Sequence, residues 1–230
     1  MAGIYIHIPF CKTRCIYCDF CSTIRMELKK RYMDALCREL EIRKPYLQEE
    51  SVKTIYLGGG TPSLLHAEDF HKLFNTLSRF YGMEACEEIT LEANPDDLNT
   101  EYVQLLSSFP FNRISIGIQT FNDTLLHFLN RRHNAAQALS TVDNCRRAGF
   151  DNISIDLMYG FPGETLKDLI CDLSHTVSLH VEHISAYHLT YEKGTPVYGM
   201  LQQHRIKEVD EENSTGRTAL PFKDFFLNTS

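Results

Sequence analysis

The feature of this sequence that most constrains its fold is a repeated alternation of short apolar segments with longer amphipathic ones. The short segments predict six β-strands, at residues 4–8, 52–57, 88–92, 113–118, 153–157 and 181–187. The longer segments have the apolar spacing of helices, at residues 29–44, 67–80, 100–107, 135–148 and 165–179. Strand–helix units repeated in this way indicate an α/β fold with a parallel sheet and right-handed crossovers.

The chemically distinctive residues of the chain lie at the ends of the predicted strands or directly after them. They are the cysteines after the first strand, residues 58–62 after the second, residues 92–95, Gln119, Asp156 and residues 188–191. The strands of a parallel α/β sheet end at one edge, where such proteins build their binding and catalytic sites. We therefore expect these residues to share one functional site.

Three closely spaced cysteines form a CxxxCxxC array, at Cys11, Cys15 and Cys18. A 4Fe-4S cluster has four iron corners that cysteine thiolates can occupy, so three thiolates leave one iron open. An open iron indicates a site that performs chemistry, whereas four ligands would indicate a closed structural site. The array therefore favours a reactive iron–sulfur centre.

Two other interpretations of the array stay open on the residues alone. Cysteines spaced i, i+4, i+7 would also suit the buried face of a helix, although Pro9 and the polar residues between the cysteines make a poor amphipathic helix. The second alternative is a structural zinc module with Cys21 as a fourth ligand, although zinc ligands usually form two separated pairs. Disulfides are disfavoured because close cysteines without secretory features indicate metal or redox work.

The other candidate residues also allow structural interpretations. Residues 58–60 are glycines, which form either a tight turn or a stretch of backbone that approaches a ligand closely. They do not form a phosphate-binding loop, because no Lys-Ser or Lys-Thr follows them. Glu92 and Asp156 either cap a helix or pair with a lysine, or contact a ligand. Arg131 and Arg132 form either a solvated turn or a two-pronged contact to a carboxylate. A structural role is expected for the isolated histidines His7, His66 and His133.

Composition limits the class of partner and the compartment. The formal net charge of -7 argues against a nucleic-acid partner. Residues 1–10 lack the basic start of a secretory signal, and no apolar stretch approaches the roughly 20 residues of a transmembrane helix, so we expect a cytoplasmic protein. Four dispersed cysteines are expected to be small buried residues, namely Cys37, Cys86, Cys145 and Cys171.

Several segments occur in the order of a known family. They are residues 5–11 (YIHIPFC), 17–20 (YCDF), 58–63 (GGGTPS), 89–95 (ITLEANP), 113–119 (RISIGIQ), 130–133 (NRRH), 155–163 (IDLMYGFPG) and 184–190 (ISAYHLT). On these segments the chain resembles the radical S-adenosylmethionine (SAM) superfamily. Within it, the chain is similar to the branch that contains the haem chaperone HemW and oxygen-independent coproporphyrinogen III oxidase.

This resemblance implies a partial, six-unit (β/α) barrel and two cofactors. Cys11, Cys15 and Cys18 would hold a 4Fe-4S cluster, and SAM would bind the fourth iron through its methionyl amine and carboxylate. An electron passed through the cluster would break a carbon–sulfur bond of SAM and release a 5'-deoxyadenosyl radical. The residues that the resemblance places in the SAM pocket are Tyr5, Tyr17, Gly59, Gly60, Thr61, Glu92, Gln119, Arg131 and Asp156.

Differences between this cysteine array and that of the oxidase favour one of the two branches. The oxidase carries a fourth cysteine two positions after the third, but residue 20 is Phe here, and the nearest cysteine, Cys21, is expected not to be a ligand. The resemblance therefore favours a protein that binds haem and transfers it to apo-haemoproteins. Oxidative decarboxylation of coproporphyrinogen III is the alternative, so haem or a porphyrin is the expected partner in either case. The electron donor stays open.

The C-terminal part of the chain departs from the family pattern. Residues 1–200 are expected to form the barrel, and residues 201–230 a short irregular tail in place of the family's C-terminal domain with its haem motif. Apolar residues of this tail are expected to form a short amphipathic turn over the barrel, namely Leu220, Phe222, Phe225, Phe226 and Leu227.

Overall fold

Six parallel strands form one sheet whose spatial order follows the sequence. The computed structural model of the chain describes residues 2–48 and 50–209. The strands are β1 (Ala2–Ile8), β2 (Val52–Gly59), β3 (Glu88–Ala93), β4 (Arg113–Gln119), β5 (Ile153–Tyr159) and β6 (His183–His188). All six predicted strands are confirmed, and five of them run one or two residues further at their carboxyl ends.

Helices connect the strands. The α-helices are α1 (Lys29–Arg43), α2 (Ala67–Tyr81), α3 (Thr100–Ser107), α4 (Asp123–Phe128), α5 (Ala135–Arg147), α6 (Leu166–Ser178) and α7 (Pro196–Gln202). Short 3-10 turns lie at Met26–Leu28, Lys44–Leu47, Pro62–Leu64 and Pro95–Asp97. Five of the α-helices match the predicted ones, whereas α4, α7 and the 3-10 turns are not predicted by the apolar pattern.

The two unpredicted helices depend on local capping. They have six and seven residues, which is too short to show a helical period in the sequence. Asn122 begins α4 by accepting hydrogen bonds from the N–H groups of Thr124 (2.9 Å) and Leu125 (3.3 Å). Thr195 caps α7 in the same way, and Pro196 suits the first helical position because no N–H is needed there.

The sheet is an open, partial barrel, as the family resemblance implies. Strands β1 and β6 are its two edges. Parallel pairing places Ile8 opposite Gly59 near one edge, and Asp156 opposite Ser185 near the other. The carboxyl ends of all six strands therefore lie side by side at one end of the barrel.

Two hydrophobic clusters hold this frame together. The larger contains residues of the sheet and of helices α1, α2, α3 and α5, and it includes the predicted stripe of α2, Phe70, Leu73, Phe74 and Leu77. The smaller joins α4, α7 and the ends of β5 and β6 through Leu125, Leu129, Met158, Phe161, Leu189 and Val197. Ile16 and Tyr17 pack against the smaller cluster, so it also fastens the cysteine loop, residues 11–21, to the barrel.

The four dispersed cysteines differ in burial. Cys145 is buried, as predicted, while Cys37 and Cys86 are partly buried. The prediction is wrong for Cys171, whose thiol is exposed, because α6 turns this position outwards while Leu173 faces the interior.

The C-terminal predictions fall largely outside the described residues. This holds for the predicted amphipathic turn of Leu220, Phe222, Phe225, Phe226 and Leu227 and for residues 210–230 as a whole. Within the described part, α7 runs past the predicted boundary at residue 200. None of the helices in residues 2–48 and 50–209 has the length and apolar character needed to cross a membrane.

A truncation in the larger cluster tests the assigned core. Leu73 is 0% exposed on α2, so Leu73→Ala leaves a cavity and is expected to lower the free energy of unfolding by about 2–5 kcal/mol. Ile170→Ala is the control, because Ile170 is 42% exposed on α6 and its truncation is expected to cost less than about 0.5 kcal/mol. Urea unfolding followed by circular dichroism measures both, and equal losses would contradict the core assignment.

Candidate functional site

A cavity of about 430 Å³ opens at the carboxyl edge of the sheet. Every residue predicted to bind the metal or the cofactor lines it, except Tyr5. The lining members are Cys11, Cys15, Tyr17, Cys18, Gly59, Gly60, Thr61, Glu92, Gln119, Arg131 and Asp156. The fold therefore brings residues from separate strand ends and loops to one place, as their position in the sequence predicts.

Tyr5 lies outside this lining. Its side chain is 58% exposed and stacks on the Tyr56 ring with 6.0 Å between the ring centres. Its hydroxyl is 3.2 Å from Nδ1 of His7. Tyr5 therefore reaches the cavity wall only through Tyr56, whose hydroxyl donates to the lining residue Glu92, and its contact with a cofactor stays a prediction.

The cysteine loop is irregular rather than helical. The N–H of Cys11 donates to the Thr23 carbonyl (2.9 Å), and the N–H of Thr23 donates to the Pro9 carbonyl (2.7 Å), which clamps the two ends of the loop together. Between them, the N–H of Cys18 donates to the carbonyl of Cys15 at 3.3 Å in a single tight turn. The interpretation of the array as the buried face of a helix is therefore wrong.

Two of the three thiols of the array accept a hydrogen bond from another element. The Thr61 hydroxyl donates to Sγ of Cys11 at 3.6 Å, and Nη1 of Arg131 donates to Sγ of Cys15 at 3.5 Å. Hydrogen bonds to the sulfur ligands are among the features by which proteins tune iron–sulfur clusters. No three His, Cys, Asp or Glu side chains among the described residues converge on a single metal ion. A cluster does not require such convergence, because each thiolate binds a different iron.

The glycines at the carboxyl end of β2 are explained by close packing within the protein. Gly59 has a φ of +112°, and a Cβ there would lie 2.4 Å from the His7 ring. A Cβ at Gly60 would lie 2.7 Å from the backbone of Pro9. Of the two interpretations of this loop, the tight turn packed against β1 accounts for both positions, and both also line the cavity.

Glu92 is anchored by the neighbouring strand β2. The Tyr56 hydroxyl donates to its Oε1 (2.7 Å), and the N–H of Gly59 donates to its Oε2 (3.0 Å). Gly58 leaves space for this carboxylate, because a Cβ there would lie 2.9 Å from the carboxyl carbon. The helix-cap and lysine-pair interpretations are therefore wrong for Glu92, which is held rigidly at the cavity wall.

Asp156 is the cavity carboxylate with the clearest electrostatic perturbation. Burial raises the pKa of its carboxyl to about 6, and the negative charge of Glu92 acts in the same direction. A hydrogen bond from Ser185 of β6 opposes both effects. A perturbed carboxyl group within a cavity is a candidate ligand-binding group.

Gln119 ends β4 in a strained conformation. Its φ is +71°, and the pairing of β4 with β5 shifts between Gly117 and Gln119. This left-handed backbone costs on the order of 1–3 kcal/mol for a residue other than glycine. A Cβ at Gly117 would lie 2.9 Å from Nε2 of Gln119, so the glycine provides space for the amide beside the cavity.

The sequence analysis places Asn94 among the residues at the strand ends but assigns it no role in the cofactor pocket, and the structure shows that it follows β3 and lines the cavity. Its Oδ1 accepts from Nη2 of Arg131 at 2.7 Å, and its Nδ2 donates to Oγ1 of Thr61 at 3.3 Å. Its position in residues 89–95, directly after a strand and before Pro95, is the sequence signal that could have identified it. Only the folded chain shows that it contacts both donors to the cysteine sulfurs.

Arg132 differs from its neighbour Arg131. Its guanidinium pairs with Asp96 (2.6 Å) and Asp97 (3.2 Å). Asp97 also accepts from Nζ of Lys12 at 2.8 Å, which ties the cysteine loop to the turn after β3. The interpretation of residues 131 and 132 as a solvated turn is therefore wrong, because Arg132 is held by two carboxylates at the cavity wall, which it also lines.

The isolated histidines at positions 133 and 66 have structural roles, as predicted. His133 is buried with Nε2 3.0 Å from the Ile118 carbonyl. Burial lowers the pKa of His133 to about 4, and the positive charge of Arg131 acts in the same direction. His66 is the residue from which α2 begins.

Cys21 lies beside the array but outside the cavity lining. Its side chain is exposed. Its carbonyl oxygen is 2.8 Å from Nε2 of His7, so its backbone holds the end of the cysteine loop against β1. That it is not a cluster ligand stays a prediction.

Comparison with known proteins identifies the family. The family model of the Radical SAM superfamily matches residues 5–172. The chain belongs to the Radical SAM superfamily. Membership implies a 4Fe-4S cluster and SAM as cofactors.

Within the superfamily the chain is HemW/HemN-like. It is 39% identical over 208 residues to the haem chaperone HemW of Bacillus subtilis, which covers 90% of this chain and 55% of that protein. It is 36% identical over 195 residues to the haem chaperone HemW of Escherichia coli, which covers 84% of this chain and 52% of that protein. The chain thus spans about half the length of the curated relatives it matches.

Solved structures agree with this assignment. The radical SAM enzyme HemN of Escherichia coli, a coproporphyrinogen III oxidase, matches with a TM-score of 0.85 and 26% identity, over 99% of this chain and 52% of its own. Streptococcus suis SuiB bound to SAM matches with a TM-score of 0.69 and 14% identity, over 99% of this chain and 48% of its own. The second match shows the shared fold alone.

The raised pKa of Asp156 gives a testable dependence of stability on pH. The folded state holds this proton more tightly than the unfolded chain, so the ionised carboxylate destabilises the fold above pH 6, and the penalty fades as the pH falls from 6 towards 4. Asp156→Asn is therefore expected to raise the free energy of unfolding of the cofactor-free protein at pH 7.5, by at most about 3 kcal/mol.

Denaturant unfolding at pH 7.5 and pH 4.5 measures this gain, which is expected to shrink at the lower pH. Asp143→Asn, on the exposed face of α5, is the control and is expected to change stability little at either pH. A gain that is equal at both pH values would contradict the assigned perturbation.

Proposed function

We propose that this chain is the radical SAM core of a haem chaperone, with a 4Fe-4S cluster held by Cys11, Cys15 and Cys18. SAM would bind beside it, at the iron that has no thiolate. When bound, the cluster and SAM supply the one-electron radical chemistry of the superfamily. The observation that carries this proposal is the cavity itself, because three thiols and both signs of charge line the same space.

The charges that line the cavity suit SAM, which carries an amine, a carboxylate and a sulfonium. Glu92 and Asp156 would hold its cationic and hydroxyl-bearing parts. The buried Nε–H of Arg131 has no hydrogen-bond partner among residues 2–48 and 50–209 and would donate to an anionic group. Thr61, Gln119 and the glycines at 59 and 60 would complete the pocket, with Tyr17 within the array and Tyr5 stacked on Tyr56.

The choice of a haem chaperone over an oxidase rests on sequence. The two curated relatives described above are both named haem chaperone HemW. Residue 20, where the resemblance expects a cysteine in the oxidase, is a phenylalanine that lines the cavity. The structural match to HemN favours coproporphyrinogen III oxidation as the second candidate. We also propose a cytoplasmic location, because the free thiols of the described residues suit a reducing compartment.

Replacement of single cysteines tests the ligand set. Cys15→Ser removes a thiolate and is expected to abolish cluster assembly, whereas Cys21→Ser is expected to leave about four irons per chain. Iron and sulfide content and the broad visible absorbance of anaerobically reconstituted protein measure both. A colourless wild-type protein with one bound zinc would contradict the cluster, and iron loss in Cys21→Ser would add a ligand to the set.

Two assays on reconstituted wild-type protein separate the two candidate functions. Titration with haemin is expected to give saturable changes in the haem absorbance. Incubation with coproporphyrinogen III, SAM and an anaerobic reductant is expected to give no decarboxylated product above background. Product formation would replace the chaperone by the oxidase, and a failure to bind haemin would contradict the chaperone directly.

A further inference from the structure

The Asn94 side chain lies between the two side chains that donate hydrogen bonds to the cysteine sulfurs. Arg131 donates to Asn94 through Nη2 (2.7 Å) and to Sγ of Cys15 through Nη1 (3.5 Å). Asn94 donates through Nδ2 to Oγ1 of Thr61 (3.3 Å), and Thr61 donates to Sγ of Cys11 (3.6 Å). One hydrogen-bonded chain therefore joins two thiols of the array.

The chemistry of these side chains fixes which atom donates and which atom accepts in each hydrogen bond. A guanidinium has donors only, so the atom of Asn94 that faces Arg131 must be the amide oxygen. The amide nitrogen therefore faces Thr61, and it is a donor. Because a hydroxyl has a single hydrogen, a Thr61 oxygen that accepts from Asn94 directs that hydrogen to the sulfur of Cys11.

The same amide also aims the guanidinium. Nη2 of Arg131 donates to Asn94 and to the Gly117 carbonyl, and these two acceptors leave Nη1 for Cys15. The hydrogen bonds to the Asn94 side chain thus set the direction in which the Thr61 hydroxyl and the Arg131 guanidinium donate.

The turn after β3 holds Asn94 in place. Its backbone N–H donates to Oγ of Ser63 (3.4 Å), and Ser63 donates to Asp97 (2.9 Å). The N–H of Asp97 donates back to the Asn94 carbonyl (3.1 Å). Asp97 is buried, so this ring of contacts has little freedom to rearrange.

We propose that Asn94 is a positioning residue that sets the reduction potential of the cluster by directing the Thr61 and Arg131 donors at two of its thiolates. This inference rests on the proposed cluster at Cys11, Cys15 and Cys18. Hydrogen bonds to the sulfurs and net charge both tune cluster potentials. One-electron reduction adds negative charge to the cluster, so donors aimed at sulfur stabilise the reduced form and raise the potential.

Substitutions at Thr61 test the effect of its hydroxyl hydrogen on the reduction potential, separately from Asn94. Thr61→Val keeps the shape and removes the hydrogen, so the midpoint potential is expected to become more negative. Thr61→Ser keeps the hydrogen and is expected to match the wild type. Anaerobic titration with dithionite in the absence of SAM, followed by electron paramagnetic resonance, measures the potential. Equal potentials in Thr61→Val, Thr61→Ser and the wild type would overturn the proposal.

Asn94→Asp tests the direction of the hydrogen bonds that link Arg131, Asn94 and Thr61. The new carboxylate still accepts from Arg131, but it also accepts the Thr61 hydrogen and withdraws it from Cys11. The added charge lowers the potential as well, so Asn94→Asp is measured in both the wild-type and the Thr61→Val backgrounds. The shift is expected to be smaller in Thr61→Val, where the hydrogen is already absent. Equal shifts in the two backgrounds would overturn the proposal.

Iron and sulfide analysis separates this inference from the proposed function. A wild-type protein that assembles no cluster would overturn both. A wild-type protein with a full cluster whose potential the variants do not change would overturn the role of Asn94 alone. If Asn94→Asp fails to fold, Asn94→Ala takes its place in the same two backgrounds: without the amide the Thr61 hydrogen is no longer directed at Cys11, so the potential is expected to fall, and to fall less in Thr61→Val, and equal shifts would overturn the proposal.

Discussion

Parallel pairing of six strands in sequence order brings every carboxyl end to the same edge of the sheet, and the cavity depends on this constraint. Each strand end continues into a loop there, so residues far apart in the chain meet at this edge. The hydrogen bond from Arg131 to Cys15 joins residues that are 116 positions apart. The two hydrophobic clusters stabilise the frame, and the smaller one fastens the cysteine loop to it.

Charged side chains that line the cavity differ in their partners. Lys12 and Arg132 are paired with Asp97 and Asp96 of the turn after β3, and the Lys12 pair holds the cysteine loop against that turn. Arg131 instead contacts the array, while Glu92 and Asp156 line the cavity along with it. Opposite charges within one partly desolvated space suit a ligand that carries both signs, as SAM does, better than a purely anionic ligand.

Periodicity predicts those elements whose stability comes from burying an apolar face. The α2 stripe is an example, and all six strands are found within two residues of their predicted ends. Apolar periodicity does not predict the helices α4 and α7, because they are short and depend on caps at Asn122 and Thr195. The site follows the same division, since position towards the end of a strand indicated Glu92 and Asp156 but could not reveal the links made by Asn94.

The sequence by itself determined the order of strands and helices, the edge at which chemistry would lie, and the three cysteines of the array. These are local properties, because they depend on hydrophobic spacing, turn residues and ligand spacing along the chain. The tertiary structure decided which polar groups meet: Thr61 with Cys11, Arg131 with Cys15, and Asn94 between them. Hydrogen bonds of this kind depend on distances of a few ångströms between elements, which the strand register fixes and the residue order does not show.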